Sequence, residues 1–160
     1  MLFRSPALNT TTWTLDLLRA LEWKRFEEVC ADLCRYLGFE ARTQRQGADG
    51  GVDIHLYRPE ADTPSVVVQC KSWNAWRVGV KPVRELLGVM MAAGVSEGIF
   101  MTTATFTREA LDFGRANGID CMDGPALIGA IRTLPEAAQQ AMLMAATAGD
   151  YLTQIGRAHV

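Results

Sequence analysis

The segment Ser65–Lys71, SVVVQCK, constrains the fold more than any other stretch of the chain. Three β-branched residues in a row, Val66, Val67 and Val68, read as a strand buried on both faces, because a strand covered on one face alternates apolar and polar positions. Such a strand lies inside a sheet with helices on either side. Yet the same run carries Gln69 and Lys71, two residues apart and so on one face, with Cys70 pointing the other way. A lysine in so apolar a strand needs a partner, since burying an ammonium alone is costly. The preceding segment offers one. Val52–Tyr57 alternates, with Val52, Ile54 and Leu56 on one face and Asp53, His55 and Tyr57 on the other. Arg58–Pro64 is a turn, so the two strands form a hairpin that can bring Asp53, Gln69 and Lys71 to one sheet edge.

Around this hairpin the chain alternates helix and strand. Thr14–Leu37 reads as one helix, with Phe26, Val29, Cys30, Leu33 and Leu37 at helical spacing and Gly38 as its stop. A short strand at Phe39–Thr43 leads into a polar, glycine-rich loop, Gln44–Gly51. After Lys81-Pro82 the period changes. Val83–Val95 reads as a buried helix, Glu97–Thr103 as a strand, Thr107–Asn117 as a helix and Ile119–Met122 as a strand. Helices at Gly124–Leu134 and Pro135–Thr147 complete the pattern. An antiparallel hairpin followed by crossovers predicts an α/β fold, a three-layer α/β/α sandwich with a mixed central sheet. At 160 residues the chain suits one such domain.

Composition narrows the function classes. With 49% apolar and 21% charged residues, disorder and coiled coil are both excluded. The longest apolar run, Leu86–Val95, is half of what a bilayer span needs. The opening MLFRSPALNT has no apolar signal core, so a cytoplasmic location is expected, with no membrane partner. Four cysteines without a CxxC read as reduced core thiols. The net charge of −2 argues against indiscriminate nucleic-acid binding, but Arg42–Arg84 holds seven basic and four acidic residues, a local +3 against −5 elsewhere. That excess can attract phosphate; ordinary surface charge explains it as well.

Asp53, Gln69 and Lys71 together suit metal-assisted phosphodiester hydrolysis. A hard divalent cation such as Mg²⁺ takes oxygen ligands, here the Asp53 carboxylate, the Gln69 side-chain oxygen and a backbone carbonyl near Cys70. The cation acidifies a bound water and polarises the phosphate, while Lys71 steers that water and offsets developing negative charge. An ion pair flanking a strand is the competing structural reading. Glycines in the loop GADGGVD let backbone approach a ligand closely, or simply form a tight turn.

Five blocks, RFEEVCADLCRYLGFEA, GADGGVDI, VVVQCKSW, VGVKPVREL and EGIFMTTATFTREA through IDCMDG, resemble the Mrr-type restriction endonucleases of the PD-(D/E)XK nuclease superfamily. The resemblance spans Trp23–Leu134. It implies a restriction-endonuclease-like fold in which Asp53 binds the metal, Gln69 stands where the superfamily has glutamate, and Lys71 is the catalytic lysine. Glu27, in the first helix, matches an acidic residue that approaches the same site. Glutamine for glutamate removes one negative charge from the metal site, and Glu27 is the expected compensation. The resemblance implies a Mg²⁺-dependent endonuclease, with Mn²⁺ as an alternative ion, acting on double-stranded DNA in defence against foreign or modified DNA. Cleavage of both strands by one site per chain favours a homodimer. A DNA-binding module without chemistry and a repair or junction-resolving nuclease are the rival readings.

The same resemblance divides the chain into an extension over 1–22, the nuclease domain over 23–134, and a helix and linker over 135–154. Residues 155–160, IGRAHV, are expected to be a non-native tail; in relatives a segment like AATAGDYLT leads into a four-cysteine zinc ribbon. Further candidates are secondary. Lys81 and Arg84 open the helix beyond the site and suit phosphate contacts, as does Thr103 in a strand-end group with Thr102 and Thr105. Thr105 and Thr107 are equally good helix caps. Asp49 reads as a turn former, His55 as a packed or exposed residue, and Trp73 and Trp76 as covers for the core edge.

Overall fold

The computed structural model describes residues 12–45, 52–73 and 77–149. Along the chain come α1 (Leu15–Ala20), α2 (Trp23–Tyr36), β1 (Glu40–Arg45), β2 (Val52–Tyr57), β3 (Val66–Lys71), α3 (Val80–Ala93), β4 (Gly98–Thr102), α4 (Arg108–Ala116), β5 (Ile119–Met122), α5 (Gly124–Arg132) and α6 (Glu136–Ala146). The strands form one sheet in the order β1-β2-β3-β4-β5. The first three pair antiparallel and β3, β4 and β5 run parallel. Parallel neighbours need crossover connections, which α3 and α4 supply.

The run of valines places β3 between two cores. Val66, Val68 and Cys70 pack with Ile54, Leu56 and the apolar faces of α1, α2, α5 and α6. Val67 faces the other way and joins Phe100, Leu86, Met90 and Ala110 beneath α3 and α4. The expected three layers and mixed sheet are therefore present. No helix among the described residues is long and apolar enough to cross a membrane.

Several expected boundaries move. The single helix predicted over Thr14–Leu37 is two, with Leu21 and Glu22 extended between them (ψ 143° and 148°). At 100° per residue the stripe of Leu17, Leu18 and Leu21 points about 140° away from that of Phe26, Val29, Cys30, Leu33 and Cys34. One straight helix could bury only one of them. The break lets α1 pack against α5 while α2 lies over the sheet and α6. Thr14 caps α1, its hydroxyl accepting from Leu17 N at 3.1 Å.

The helix predicted to start after Pro82 starts before it, at Val80. Proline is tolerated there because first-turn N–H groups have no intrahelical partner. Strand β1 extends to Arg45, into the segment read as loop. Thr107 rather than Thr105 caps α4, accepting from Ala110 N at 3.1 Å. Gly118, at φ +73°, turns the chain into β5 where an added Cβ would lie 2.6 Å from the Ser96 carbonyl oxygen.

Candidate active site

The antiparallel register sets Asp53 directly opposite Gln69. Lys71 follows two residues later on the same face of β3, beside Thr102 of β4. Directly opposed residues hold their Cβ atoms about 5 Å apart, so the carboxylate and the amide are neighbours by construction. All three project to the side of the sheet that Val67 faces, the side of α3 and α4. Asp53 is fully buried and Gln69 is 7% exposed. Lys71, the last residue of β3, is half-buried. Polar groups so placed are expensive unless something compensates their lost hydration.

Asp53 has other interactions, but its Oδ1 atom is buried and takes no hydrogen bond. A carboxylate oxygen, the Gln69 amide oxygen and the Cys70 backbone carbonyl are hard donors of the kind Mg²⁺ and Mn²⁺ prefer. The donor set therefore fits a hard divalent cation. Among the described residues, no three His, Cys, Asp or Glu side chains are grouped so as to hold a metal ion, so in this donor set Asp53 is joined by amide and backbone oxygens.

Glu27 enters from the other face. It is buried, 9% exposed, on the turn of α2 preceding Cys30. The Cys30 and Cys70 side chains share a hydrogen bond, which ties that helix to β3. Burial pushes the Cys70 thiol well up from its ordinary value, and contact with Cys30 and the charges of Glu27 and Asp53 push it further. Both carboxylates thus act on the Cys70 layer, Glu27 from the helical side and Asp53 from the opposite pleat. Glu27 also borders an open polar groove between α2 and β1, with Lys24, Asp32, Arg35 and Thr43.

The remaining candidates separate by exposure. Lys81 is exposed on the first turn of α3. Arg84 is exposed too, with its guanidinium 5.5 Å from the centre of the Phe113 ring on α4. Thr103 is fully buried, its hydroxyl donating to the Trp73 carbonyl at 2.9 Å. Its own carbonyl accepts from Arg19 Nε at 3.2 Å. The Thr102 hydroxyl accepts from Ala104 N, and the Thr105 carbonyl accepts from Val78 N. His55 is half-buried opposite Arg42 and Val67. Asp49 and Trp76 lie outside the described residues.

Trp73 corrects one expectation. It joins neither apolar core: the residue is 38% exposed and its ring centre lies 5.2 Å from Lys71 Nζ. Strand β3 ends at Lys71, two residues before the ring. A signal was present in the spacing, because 69, 71 and 73 continue one strand phase. Arg19 carried no comparable signal, since its contact with Thr103 joins residues 84 apart in the chain.

Comparisons with known proteins agree with this architecture. The family model for the restriction endonuclease catalytic domain of the Mrr type matches residues 18–131. The type IV methyl-directed restriction enzyme EcoKMrr of Escherichia coli is 30% identical over 120 residues, 71% of this chain and 39% of that protein. An uncharacterized protein of Sinorhizobium fredii, y4cE, is 30% identical over 99 residues, 61% of this chain and 25% of its own. Among solved structures, the DNA modification-dependent restriction endonuclease AspBHI superposes with a TM-score of 0.56 at 20% identity, covering 90% of this chain and 41% of that one. The chain thus spans about two-fifths or less of the length of these relatives. Match, identity and fold together show that the chain belongs to the Mrr-type restriction endonuclease family.

Proposed function

We propose that the chain is the catalytic part of a DNA endonuclease that hydrolyses phosphodiester bonds with a divalent cation, Mg²⁺ or in its place Mn²⁺. The observation that carries this reading is the register of β2 and β3, which sets a buried carboxylate opposite an amide with an ammonium two residues on. When bound, the cation would supply Lewis acidity, lowering the pKa of a water and withdrawing charge from the phosphate. The residues that would hold it are Asp53, through its carboxylate, and Gln69 and Cys70, through the side-chain amide and the backbone carbonyl.

The chain's own groups supply the rest. Lys71 presents a positive charge and N–H donors where the phosphate gains negative charge as water adds and the leaving oxygen departs. Gln69, neutral, orients without adding a second charge beside Asp53. Glu27 restores negative potential from the far side of the Cys70 layer. Lys81 and Arg84 suit backbone phosphates, and Thr103 positions the chain after β3 rather than touching DNA. The substrate is double-stranded DNA, and a homodimer would place one site on each strand. The methyl-directed and modification-dependent relatives support a type IV, defensive role against modified or foreign DNA.

Plasmid cleavage with Mg²⁺ or Mn²⁺, on methylated and unmethylated DNA, tests the reading. Asp53→Ala and Lys71→Ala are each expected to abolish cleavage, typically by more than a hundredfold. Undiminished cleavage by either variant refutes the assignment.

A further inference from the structure

We propose that Trp73 is a positioning residue for Lys71, and that Thr103 and Arg19 hold it in place. The inference rests on the reading of Lys71 as catalytic. Its evidence is a run of contacts from α1 to the ammonium. Arg19 Nε donates to the Thr103 carbonyl at 3.2 Å, and the Thr103 hydroxyl donates to the Trp73 carbonyl at 2.9 Å. The indole then lies with its centre 5.2 Å from Lys71 Nζ, within the range at which an aromatic face attracts a cation.

Burial shows which part of this run is rigid. Thr103 has no exposed surface, so the backbone of Trp73 is anchored to the end of β4 in a packed interior. A Cβ on Gly124 would lie 2.5 Å from Leu15 Cδ1 and 3.4 Å from the Thr103 carbonyl oxygen, which marks α1, α5 and this carbonyl as tightly packed. Trp73 is 38% exposed, so its ring lies at the surface end of this run, where it can meet the half-buried Lys71. Lys71 is the cation it serves. A lysine side chain has four rotatable bonds and loses much freedom when fixed. A ring set against its head group narrows those rotamers before substrate arrives, which is how positioning lowers a barrier. The aromatic face is what meets the cation, so phenylalanine should serve in its place.

The test compares Trp73→Leu, Trp73→Phe and Lys71→Ala in the whole chain. Trp73→Leu is expected to lower kcat by roughly five- to thirtyfold, the scale of one cation–aromatic contact. DNA affinity measured without divalent cation stays at the parent's value, and Trp73→Phe recovers most of the rate. NMR supplies a readout independent of turnover: the Lys71 ε-methylene protons, shifted by the indole ring current in the parent, move to ordinary lysine positions in Trp73→Leu. Should Trp73→Leu fold poorly, Thr103→Val, which removes the hydroxyl donor at constant shape, is expected to show a smaller loss of kcat and a partial NMR shift. Weakened DNA binding with unchanged kcat would overturn the inference and make Trp73 a DNA contact. Unchanged kcat and unchanged methylene shifts would overturn it outright. Failure of the underlying reading looks different, because Lys71→Ala would then still cleave.

Discussion

Replacing Gln69 by glutamate would turn the carboxylate–amide pair into two carboxylates facing each other across β2 and β3. With Cβ atoms about 5 Å apart and an effective dielectric near 20, two unit charges repel by about 3 kcal/mol. Both positions are buried, so solvent does little to screen that repulsion. For a chain of this size each kcal/mol is worth about 2–4 °C, so in EDTA at pH 8 the variant should melt about 6–12 °C below the parent. Acidification favours a proton shared between the two carboxyls, so the deficit should shrink as pH falls toward 5. A divalent cation should reverse it, because the variant gains a charged ligand. Binding the ion a hundredfold more tightly than the parent would stabilise the variant by about 2.7 kcal/mol relative to it at saturation, enough to restore most of the loss. Differential scanning fluorimetry of parent and Gln69→Glu, with EDTA or Mg²⁺ at both pH values, reads all of this. A variant that melts with the parent in EDTA at pH 8 would refute the juxtaposition, and one that Mg²⁺ leaves unchanged would refute the cation site.

Other consequences concern the scaffold. Gly118→Ala forces a side chain into φ +73° and against the Ser96 carbonyl 2.6 Å away, and should cost about 2 kcal/mol or more, read as a lowered urea midpoint; a loss under 0.5 kcal/mol would contradict the tight turn into β5. Burial, helped by Cys70 and opposed by Arg35, pushes the Cys34 thiol up to about 12, and burial pushes Cys121 up to about 11. Because these folded-state values are raised, the stability they contribute is intact below the unfolded value of 9.0 and is lost as pH climbs from there toward 11–12. Urea midpoints should accordingly hold level from pH 7 to 8.5 and fall above pH 9, less steeply in Cys34→Ala. A steady midpoint to pH 10.5 would contradict this.

The strands were legible because period-two alternation and a run of valines are local signals, and β2, β3 and β5 need no neighbours to be recognised. The approach of Asp53 to Gln69 and Lys71 followed from that alternation plus a short turn. The break between α1 and α2 was not read, although it is written in the sequence as two apolar stripes pointing in different directions. Helical periodicity alone joins them. The start of α3 was hidden by Pro82, which suits the first turn as well as the residue before a helix. What could not be read at all are contacts between distant segments. Arg25 donates to the Ala145 and Ala148 carbonyls at the end of α6, and Trp13 Nε1 to the Gln139 carbonyl. Arg19 and Thr103 form the same kind of bond beside the site. None has a local signature, because the partner is chosen by packing.

The central claim is that Asp53 and Gln69 form a seat for a hard divalent cation. Titration of the DNA-free protein with Mn²⁺, followed by electron paramagnetic resonance, tests it without any dependence on substrate. The parent and Lys71→Ala should each bind an ion that Asp53→Asn does not. Retention of that ion by Asp53→Asn, at the parent's affinity, would contradict the account.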